Sequence, residues 1–422
     1  MRYEVADGAI FGSGRSSRSV TLVGQALREL DPRSSALAAF GAELRDRRIE
    51  SRRSLTELGR LVLVSGDLLG KIEKGQRRPQ ADLVRRLDEV LRAEGKLERL
   101  AAAVEKPRSC TADPVPASSF TPEGAEDRLR KVIVGARAAD HCMAADRVEK
   151  ILGYTRAAEA MAPKLPRGAR SSLLRTVAEG QQLAGWMLFD CGQSQCAERM
   201  FGRARSSAER VRAMDLVAYV GGPNLAFMNT WSGNPAVGVE QAYGALAWAY
   251  RSGNSRLAAF VATIAARAHA KMGEAGPCSR MLSVAESELG RHKCDDQDPS
   301  WLAVFDAAAL AGHRGSCLLD LGKPRQAVQA FKEQKSSGPD SFVRNKVIWQ
   351  LEQAEANLRL GALDAAATDV EHTLDQVERQ RITPRVVCVF RAVDLKLRTA
   401  VTGHPKLEPT RERLREFIEA CA

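Results

Sequence analysis

The chain has 422 residues, 44% of them hydrophobic, and a net charge of +11 that comes from 63 Lys and Arg against 52 Asp and Glu. This length exceeds one ordinary hydrophobic core, so we expect two or more domains. No uninterrupted apolar run of about 18 residues is present to span a bilayer, and the first residues include acids and glycines where a signal peptide has its apolar region. The sequence therefore predicts a soluble, cytoplasmic protein without a membrane partner.

Positive charge is concentrated towards the N-terminus. Residues 1–108 contain 22 Lys and Arg against 16 Asp and Glu, a net charge of +6, and the remaining 314 residues carry only +5. A basic balance is compatible with a polyanionic partner such as nucleic acid, but many basic surfaces are simply solvated. A DNA-binding structural element in this region would favour nucleic acid as the partner over a solvated basic surface.

Composition divides the chain into four parts. Residues 1–34 are rich in Gly, Ser and Arg and predict a flexible arm, whereas residues 35–104 contain short segments of helical periodicity. Residues 105–125 contain four prolines and several serines, which indicates a linker. Residues 126–422 contain Ala and Leu at helical spacing, punctuated by lone glycines. We expect an all-α protein with two folded domains.

The head of the chain contains two closely spaced helix starts within "SRRSLTELGRLVLVSGDLLGKIEKGQRRP". Ser54 and Glu57 have the spacing of a capping box, which places a helix start at Leu55. Ser65 is a second N-cap candidate and begins a third helix after a turn of three to four residues. A first helix over residues 37–52 completes the helix-turn-helix plan. Its small core is predicted to contain Phe40, Leu44, Leu58, Val62, Leu69 and Ile72.

This stretch resembles the Xre and phage-repressor family of helix-turn-helix domains over residues 37–94, most specifically at "KIEKGQRRP". The resemblance implies a double-stranded DNA operator as the partner, with the third helix in the major groove. It also implies an ion pair between Arg48 and Glu73. The DNA-binding residues that follow from it are Ser65, Gly66, Asp67, Lys71, Lys74, Arg77 and Arg78. Lys71 and Asp67 suit base edges, and the basic residues at the helix exit suit phosphates.

Three features depart from the family pattern. Leu63 stands where the turn usually has glycine, and Gly66 and Gly70 each weaken the third helix by about 1 kcal/mol relative to Ala. The alternative is therefore a helical domain whose arginines form only a solvated face. In that case the chain is a protein-interaction scaffold without specific DNA binding.

A repeat is visible in the C-terminal part. Gly192, Gly233, Gly273, Gly322 and Gly361 recur at intervals of 41, 40, 49 and 39 residues, each between two helical segments. Glycine suits the end of the first helix because it tolerates the left-handed conformation that ends many helices. The period indicates stacked helical hairpins.

A second pattern predicts close packing within each hairpin. A small residue stands seven positions before each turn glycine: Gly185, Ala226, Ala266, Gly315 and Ala354. In two hairpins an aromatic residue, Phe201 or Phe331, follows in the second helix. These features resemble tetratricopeptide repeats over roughly residues 126–400, with intervals longer than the usual 34 residues or so. The resemblance implies an α-solenoid after the helix-turn-helix domain.

The concave surface of such a solenoid is a candidate ligand groove. Extending the repeat register places aromatic, amide and cationic side chains there: Trp186, Phe189, Asn224, Phe227, Asn229, Trp231, Phe260, Arg267 and Lys271. This combination suits a short peptide or an acidic small molecule. The equally open alternative is that the aromatic residues belong to the hairpin core.

Other chemistry has little support in the sequence. Nine cysteines without a CxxC pair argue against a disulfide framework and a zinc knuckle, so we expect them to be reduced. His141 with Cys142, and His292 with Cys294, lack a second ligand pair, so no metal is predicted. No HExxH, GxSxG or GxxxxGK[ST] motif occurs, so we expect neither an enzyme nor a cofactor.

A helix-turn-helix head followed by helical repeats is similar to the peptide-sensing regulators of Gram-positive bacteria and to repeat-bearing regulators of antibiotic production and development. The combination implies a transcriptional regulator whose repeats sense a ligand or partner and form a homodimer. The sequence does not identify the ligand, the target genes or the sign of regulation.

Overall fold

The computed structural model of the chain describes residues 36–105, 124–141, 148–293, 298–335, 343–378, 382–401 and 407–421, with residues 32, 121, 122 and 404. Across these ranges the chain forms helices and no strand, so the fold is all-α. The predicted N-terminal arm, apart from Pro32, and most of the predicted linker lie outside the described residues. Within them, no helix is both long enough and apolar enough to cross a membrane.

Five helices form the N-terminal unit, which we call the head: α1 Ala36–Glu50, α2 Leu55–Leu61, α3 Gly66–Glu73, α4 Ala81–Val90 and α5 Lys96–Glu105. The capping box at α2 is confirmed, because the Ser54 N–H donates to Glu57 Oε2 at 2.7 Å and the Glu57 N–H donates to Ser54 Oγ at 3.2 Å. Ser65 caps α3 by accepting from the Leu68 N–H at 3.2 Å. All six predicted core residues are buried.

The turn between α2 and α3 contains a non-glycine residue in the left-handed region. Leu63 has φ of 56°, and its side chain is 80% exposed. A residue with a Cβ loses about 1–2 kcal/mol in this conformation, and so exposed a side chain recovers little of it by burial. The sequence departure at this position is therefore a local strain in the turn.

We expect Leu63→Gly to stabilise the head by up to about 1 kcal/mol, because relief of the strain exceeds the added entropy of glycine in the unfolded chain. Leu61→Gly is the matched control: Leu61 is helical and 53% exposed, so its replacement should destabilise by about 1 kcal/mol. Hydrogen exchange of the α2 and α3 amides in the full chain measures both changes. If these amides exchange faster in Leu63→Gly than in the unaltered chain, Leu63 does not strain the turn.

Fifteen further helices form the repeat domain. They are α6 Ala125–His141, α7 Val148–Met161, α8 Arg167–Asp190, α9 Ser194–Arg210, α10 Met214–Tyr219, α11 Phe227–Trp231, α12 Pro235–Ser252, α13 Ser255–Lys271, α14 Ala275–Arg291, α15 Ala307–Asp320, α16 Pro324–Lys335, α17 Val343–Arg359, α18 Leu363–Val377, α19 Pro384–Val401 and α20 Glu408–Ala420. A π-helical turn, Val220–Ala226, joins α10 to α11. Successive helices pack as hairpins, which gives a tetratricopeptide-like α-solenoid after the helix-turn-helix head.

The hairpin turns follow the glycine pattern. All five predicted glycines are left-handed, with φ between 71° and 87°. Gly253, between α12 and α13, has φ of 75° and marks a sixth turn that the repeat spacing did not reveal. The small residues allow the expected close packing, since a Cβ on Gly185 would lie 2.7 Å from the Phe201 ring and one on Gly315 would lie 2.5 Å from Phe331.

The two ends of the solenoid are joined by a buried ion-pair network. Arg344 on α17 binds Asp140 on α6 at 2.8 Å and Asp190 at the end of α8 at 2.5 Å. Arg385 on α19 donates to the other oxygen of Asp190, also at 2.5 Å. These residues are 154 to 204 positions apart in sequence. The network therefore closes the superhelix upon itself.

We expect Arg344→Met to destabilise the repeat domain by about 3–5 kcal/mol, because it leaves Asp140 buried without its ion pair and Asp190 with one arginine only. Arg413→Met is the control: Arg413 binds Glu371 and Asp375 near the surface, where an ion pair contributes about 1 kcal/mol or less. Chemical denaturation of the full chain measures both. If Arg344→Met lowers the free energy of unfolding by less than about 1 kcal/mol, the ion-pair network does not hold the superhelix closed.

The head packs against the C-terminal helices. Arg398 Nη2 of α19 lies 3.2 Å from Asp46 Oδ2 of α1, and Lys96 Nζ of α5 lies 3.9 Å from Asp394 Oδ2 of α19. Cys388 of α19 is buried in the hydrophobic core of the head. The helix α19 therefore belongs to the packing of both units.

One cysteine prediction is wrong. Cys196 at the start of α9 is disulfide-bonded, whereas it was expected to be reduced. Cys278 and Cys317 are buried and form no disulfide, as expected. The sequence rule failed at Cys196 because it judged pairing from local CxxC spacing, and a disulfide requires only proximity in the fold.

Candidate functional site

The third helix presents its early residues to solvent. Asp67 and Lys71 lie one turn apart and form an ion pair of 2.8 Å, with side chains 75% and 50% exposed. The hydrogen bond from Lys71, with its charge, lowers the pKa of Asp67. Ser65 is exposed at the N-terminus of α3, and Leu69 and Ile72 hold its opposite face in the core. This arrangement leaves Ser65, Asp67 and Lys71, which are predicted to contact DNA, accessible to solvent.

The exit from α3 is basic and exposed. Lys74, Arg77 and Arg78 all have exposed side chains, and the buried Pro79 anchors the segment that follows. Gly75 turns the chain through a φ of 65°. The structure thus presents these three cations beside α3, as phosphate contacts require.

Gly66 has a packing role in addition to its reading position. A Cβ there would lie 3.2 Å from the backbone of Leu55 and Thr56, so its absence lets α3 approach α2 closely. The pair that the resemblance implied is confirmed at the other end of α3, where Arg48 Nε binds Glu73 Oε1 at 2.6 Å and Arg48 Nη2 binds Glu73 Oε2 at 2.9 Å. Both ends of α3 are therefore fixed to the rest of the head.

We expect Arg77→Ala combined with Arg78→Ala to weaken binding to all DNA sequences alike and to flatten the salt dependence by up to about two units, because phosphate contacts carry no sequence information. Lys131→Ala with Arg210→Ala removes the same charge from exposed sites in the repeat domain and serves as the control. Fluorescence anisotropy across a salt series measures both. Unequal effects on operator and random DNA contradict the assignment.

We expect Lys71→Ala to reduce discrimination at one base-pair position by about 1–3 kcal/mol, because an outward residue of the reading helix contacts base edges. Lys74→Ala is the comparison, and it should weaken binding uniformly. Selection of binding sites from random DNA gives the preference at each position for both variants. An unchanged preference removes Lys71 from the reading role.

The concave side of the repeat domain encloses a central cavity. It contains about 800 Å³ of space not filled by protein atoms, part of it open to solvent. Its wall is built from α6, α8, α10, the π-helical turn, α11, α13, α15, α17 and α19, with one segment between α14 and α15. Aromatic rings dominate the wall: Trp186, Tyr219, Phe227, Trp231, Phe260, Trp301 and Trp349.

Two arginines of the closing network lie against these rings. The Arg385 guanidinium carbon is 5.0 Å from the Trp231 ring centroid and 5.4 Å from that of Trp186, and Arg344 is also 5.4 Å from Trp186. Burial lowers the pKa of Arg385, and Asp190 opposes this. Burial alone would lower the pKa of Arg344 too, but Asp140 and Asp190 together raise it. Aromatic faces and carboxylates thus hold both cations.

Most of the predicted groove lines the cavity. Trp186, Asn224, Phe227, Trp231, Phe260 and Arg267 are part of its wall. Three predicted residues are elsewhere: Phe189 packs behind the wall against Trp186, Asn229 binds Gln241 at 3.0 Å, and Lys271 binds Asp320 at 2.8 Å. Six of the nine predicted groove residues thus line the cavity, and ligand binding by any of them stays a prediction.

The sequence analysis did not identify several polar residues of the cavity wall. Some of them follow the same repeat register as the predicted groove residues. Asn224 and Phe227 lie nine and six residues before Gly233, and His313 and Ser316 have these two offsets from Gly322. Glu352 lies nine residues before Gly361. Arg137 and Arg385 lie in helices without a turn glycine, so no repeat signal marks them. His313 is neutral, since burial, with Arg267 nearby, lowers its pKa to about 3.

The two His–Cys pairs of the sequence, His141 with Cys142 and His292 with Cys294, are only partly described by the structure. No group of His, Cys, Asp and Glu that could hold a metal occurs in the part of the chain that the structure describes. His292 instead lies 3.2 Å from Asp298. Cys142 and Cys294 lie outside the described residues.

Comparison with known proteins gives the head its class. The family of helix-turn-helix domains matches residues 39–101 of the chain. Residues 39–101 form a helix-turn-helix domain. This match supports DNA binding by the head, and both the role of the whole chain and the narrower relation to the Xre family stay predictions.

The whole chain has only distant relatives among the proteins compared. No curated protein matches its sequence. One solved structure that matches is Bacillus thuringiensis PlcR in complex with the peptide PapR7 and DNA, at 10% sequence identity and a TM-score of 0.27, covering 80% of this chain and 95% of that one.

Proposed function

We propose that the chain is a sequence-specific transcriptional regulator whose repeat domain binds a ligand and transmits this binding to the head. One observation carries the proposal: α19 contacts both the cavity and the head. Arg385 near its start lies in the cavity wall, and Arg398 near its end binds Asp46 of the head. A rigid helix of this length connects the two sites directly.

The mode of regulation follows from what the docked head leaves exposed. Asp67, Lys71, Lys74 and Arg77 are exposed although the head packs on α19. A ligand therefore does not act by uncovering α3. It acts by changing the position of the head relative to the repeat domain, which alters how two heads fit one operator.

Dimerisation is part of this proposal. A head with so few reading positions, one of them glycine, selects too few base pairs to find a site in a genome, and two heads on a palindrome correct this. The repeat domain has to hold the two heads, since packed helices keep the distance between the heads fixed. Light scattering of the full chain at micromolar concentration should give the mass of a homodimer, and a monomer that binds its operator at full affinity would refute it.

The decisive experiment measures operator binding when the head is detached from α19. Arg398→Glu places a carboxylate among Glu43, Asp46 and Glu50, which now surround the arginine. We expect operator affinity to fall at least tenfold while binding to random DNA stays within about threefold, because the reading surface itself is unchanged. Lys131→Glu reverses one exposed charge on α6 and is the matched control.

The operator for this experiment is obtained by selection from random DNA with the full chain. Equal affinity of the unaltered chain for selected and random DNA at every salt concentration would reject specific recognition. That outcome favours the alternative, a protein-interaction scaffold. A specific operator whose binding is the same in Arg398→Glu would retain the regulator but reject transmission through α19.

A further inference from the structure

The central cavity is closed on the side where an open solenoid has a groove. The ion pairs of Arg344 and Arg385 with Asp140 and Asp190 join α17 and α19 to α6 and α8. Closure leaves about 800 Å³ of space not filled by protein atoms, part of it open to solvent, between walls that are mostly apolar. An extended peptide needs an open channel along several repeats, whereas this cavity suits a compact ligand.

Most charges in the cavity wall are balanced within the protein. Asp140 and Asp190 balance Arg344 and Arg385. Farther along the wall, Arg267 lies 3.9 Å from Asp320 Oδ2 and 3.9 Å from Glu352 Oε1, and Lys271 binds Asp320. These groups are occupied in holding the wall together, so they leave little positive charge for a ligand.

Arg137 on α6 is the exception. It is only 9% exposed, it lines the cavity, and its Nε and Nη2 atoms have no hydrogen-bond partner among the described residues. Glu179 is near enough for Arg137 to lower its pKa, although burial raises that pKa more strongly, but the two do not form an ion pair. A buried guanidinium without a partner is costly to the fold, and a ligand anion would remove that cost.

Three atoms of neutral polar side chains in the wall have no hydrogen-bond partner in the described parts of the chain. They are Asn224 Oδ1, Gln182 Oε1 and the indole nitrogen Nε1 of Trp301. Asn224 is 1% exposed and stands in the π-helical turn, where Pro223 interrupts regular helix hydrogen bonding. Such turns are frequent at functional sites. The cavity therefore offers two acceptors and a neutral donor in addition to the cation.

We propose that this cavity binds a small organic monoanion, a carboxylate carried on a flat apolar body. The carboxylate binds Arg137, a hydroxyl or N–H group of the ligand donates to Asn224 and Gln182, and the body packs against the rings of Trp186 and Phe227. One unpaired cation sets the single negative charge, and the aromatic wall sets the apolar body. The inference rests on ligand binding by the repeat domain and names the chemistry of that ligand.

The probes are 1-naphthoate and 1-naphthamide, which share size and ring but differ in charge. Titration calorimetry with the full chain should show saturable binding of the naphthoate and at least tenfold weaker binding of the amide. Arg137→Gln should lower the affinity for naphthoate about tenfold or more, since it removes a charge-assisted hydrogen bond. The same substitution should change the affinity for the amide less than threefold. Arg137→Lys should restore part of the naphthoate affinity.

Lys131→Gln, an exposed change on the same helix, is the control and should leave both affinities unchanged. Without ligand, Arg137→Gln should melt at the same temperature as the unaltered chain or higher, because it removes an uncompensated buried charge. A lower melting temperature would identify Arg137 as a structural residue and overturn the proposal. So would equal binding of naphthoate and amide, or an unchanged naphthoate affinity in Arg137→Gln.

A peptide ligand is the remaining alternative outcome. Displacement of naphthoate by uncharged heptapeptides at a thousandfold lower concentration would reject the small carboxylate. These measurements need no DNA, so their failure is separate from failure of the proposed function. A chain that binds naphthoate through Arg137 but shows no operator preference would keep the cavity assignment and reject only the regulator.

Discussion

The double ion pair of Asp190 is the interaction on which the arrangement of the repeat domain depends. Its two carboxylate oxygens bind arginines from two different helices, Arg344 of α17 and Arg385 of α19. Asp190 is 1% exposed, so water cannot take the place of its carboxylate as a partner of either arginine. A solenoid held only by neighbouring repeats is open and curved. This contact between distant repeats turns the open curve into an enclosure.

Two consequences follow from closure. The concave surface becomes a cavity, and α19 is held in place by its first turn. Its last turns then present Asp394 and Arg398 to the head at a fixed angle. Arg385 and Arg398 are thirteen residues apart, about 20 Å along a helix. Any rearrangement at Asp190 is therefore carried to the head as motion of one rigid element.

The sequence predicted what is determined locally. The capping box of Ser54, the helix start after Ser65 and the left-handed glycines depend on a few neighbouring residues, so their patterns are readable without a fold. The wall of the cavity was predictable where it follows the repeat register, as for Asn224 and Phe227. The closing contacts were not, because Arg344 and Asp140 are 204 residues apart and nothing local marks their meeting. Docking of the head on α19 was missed for the same reason.

Two costly features of the protein lie next to its predicted binding sites. Leu63 is strained in the turn that places α3, and Arg137 is buried without an acceptor in the cavity. A fold selected for stability alone would have glycine at the first position and a neutral side chain at the second. Destabilising features persist where a surrounding structure is well enough determined to hold them. In this chain that structure is the closed solenoid, whose buried ion pairs fix the cavity around Arg137 before any ligand enters.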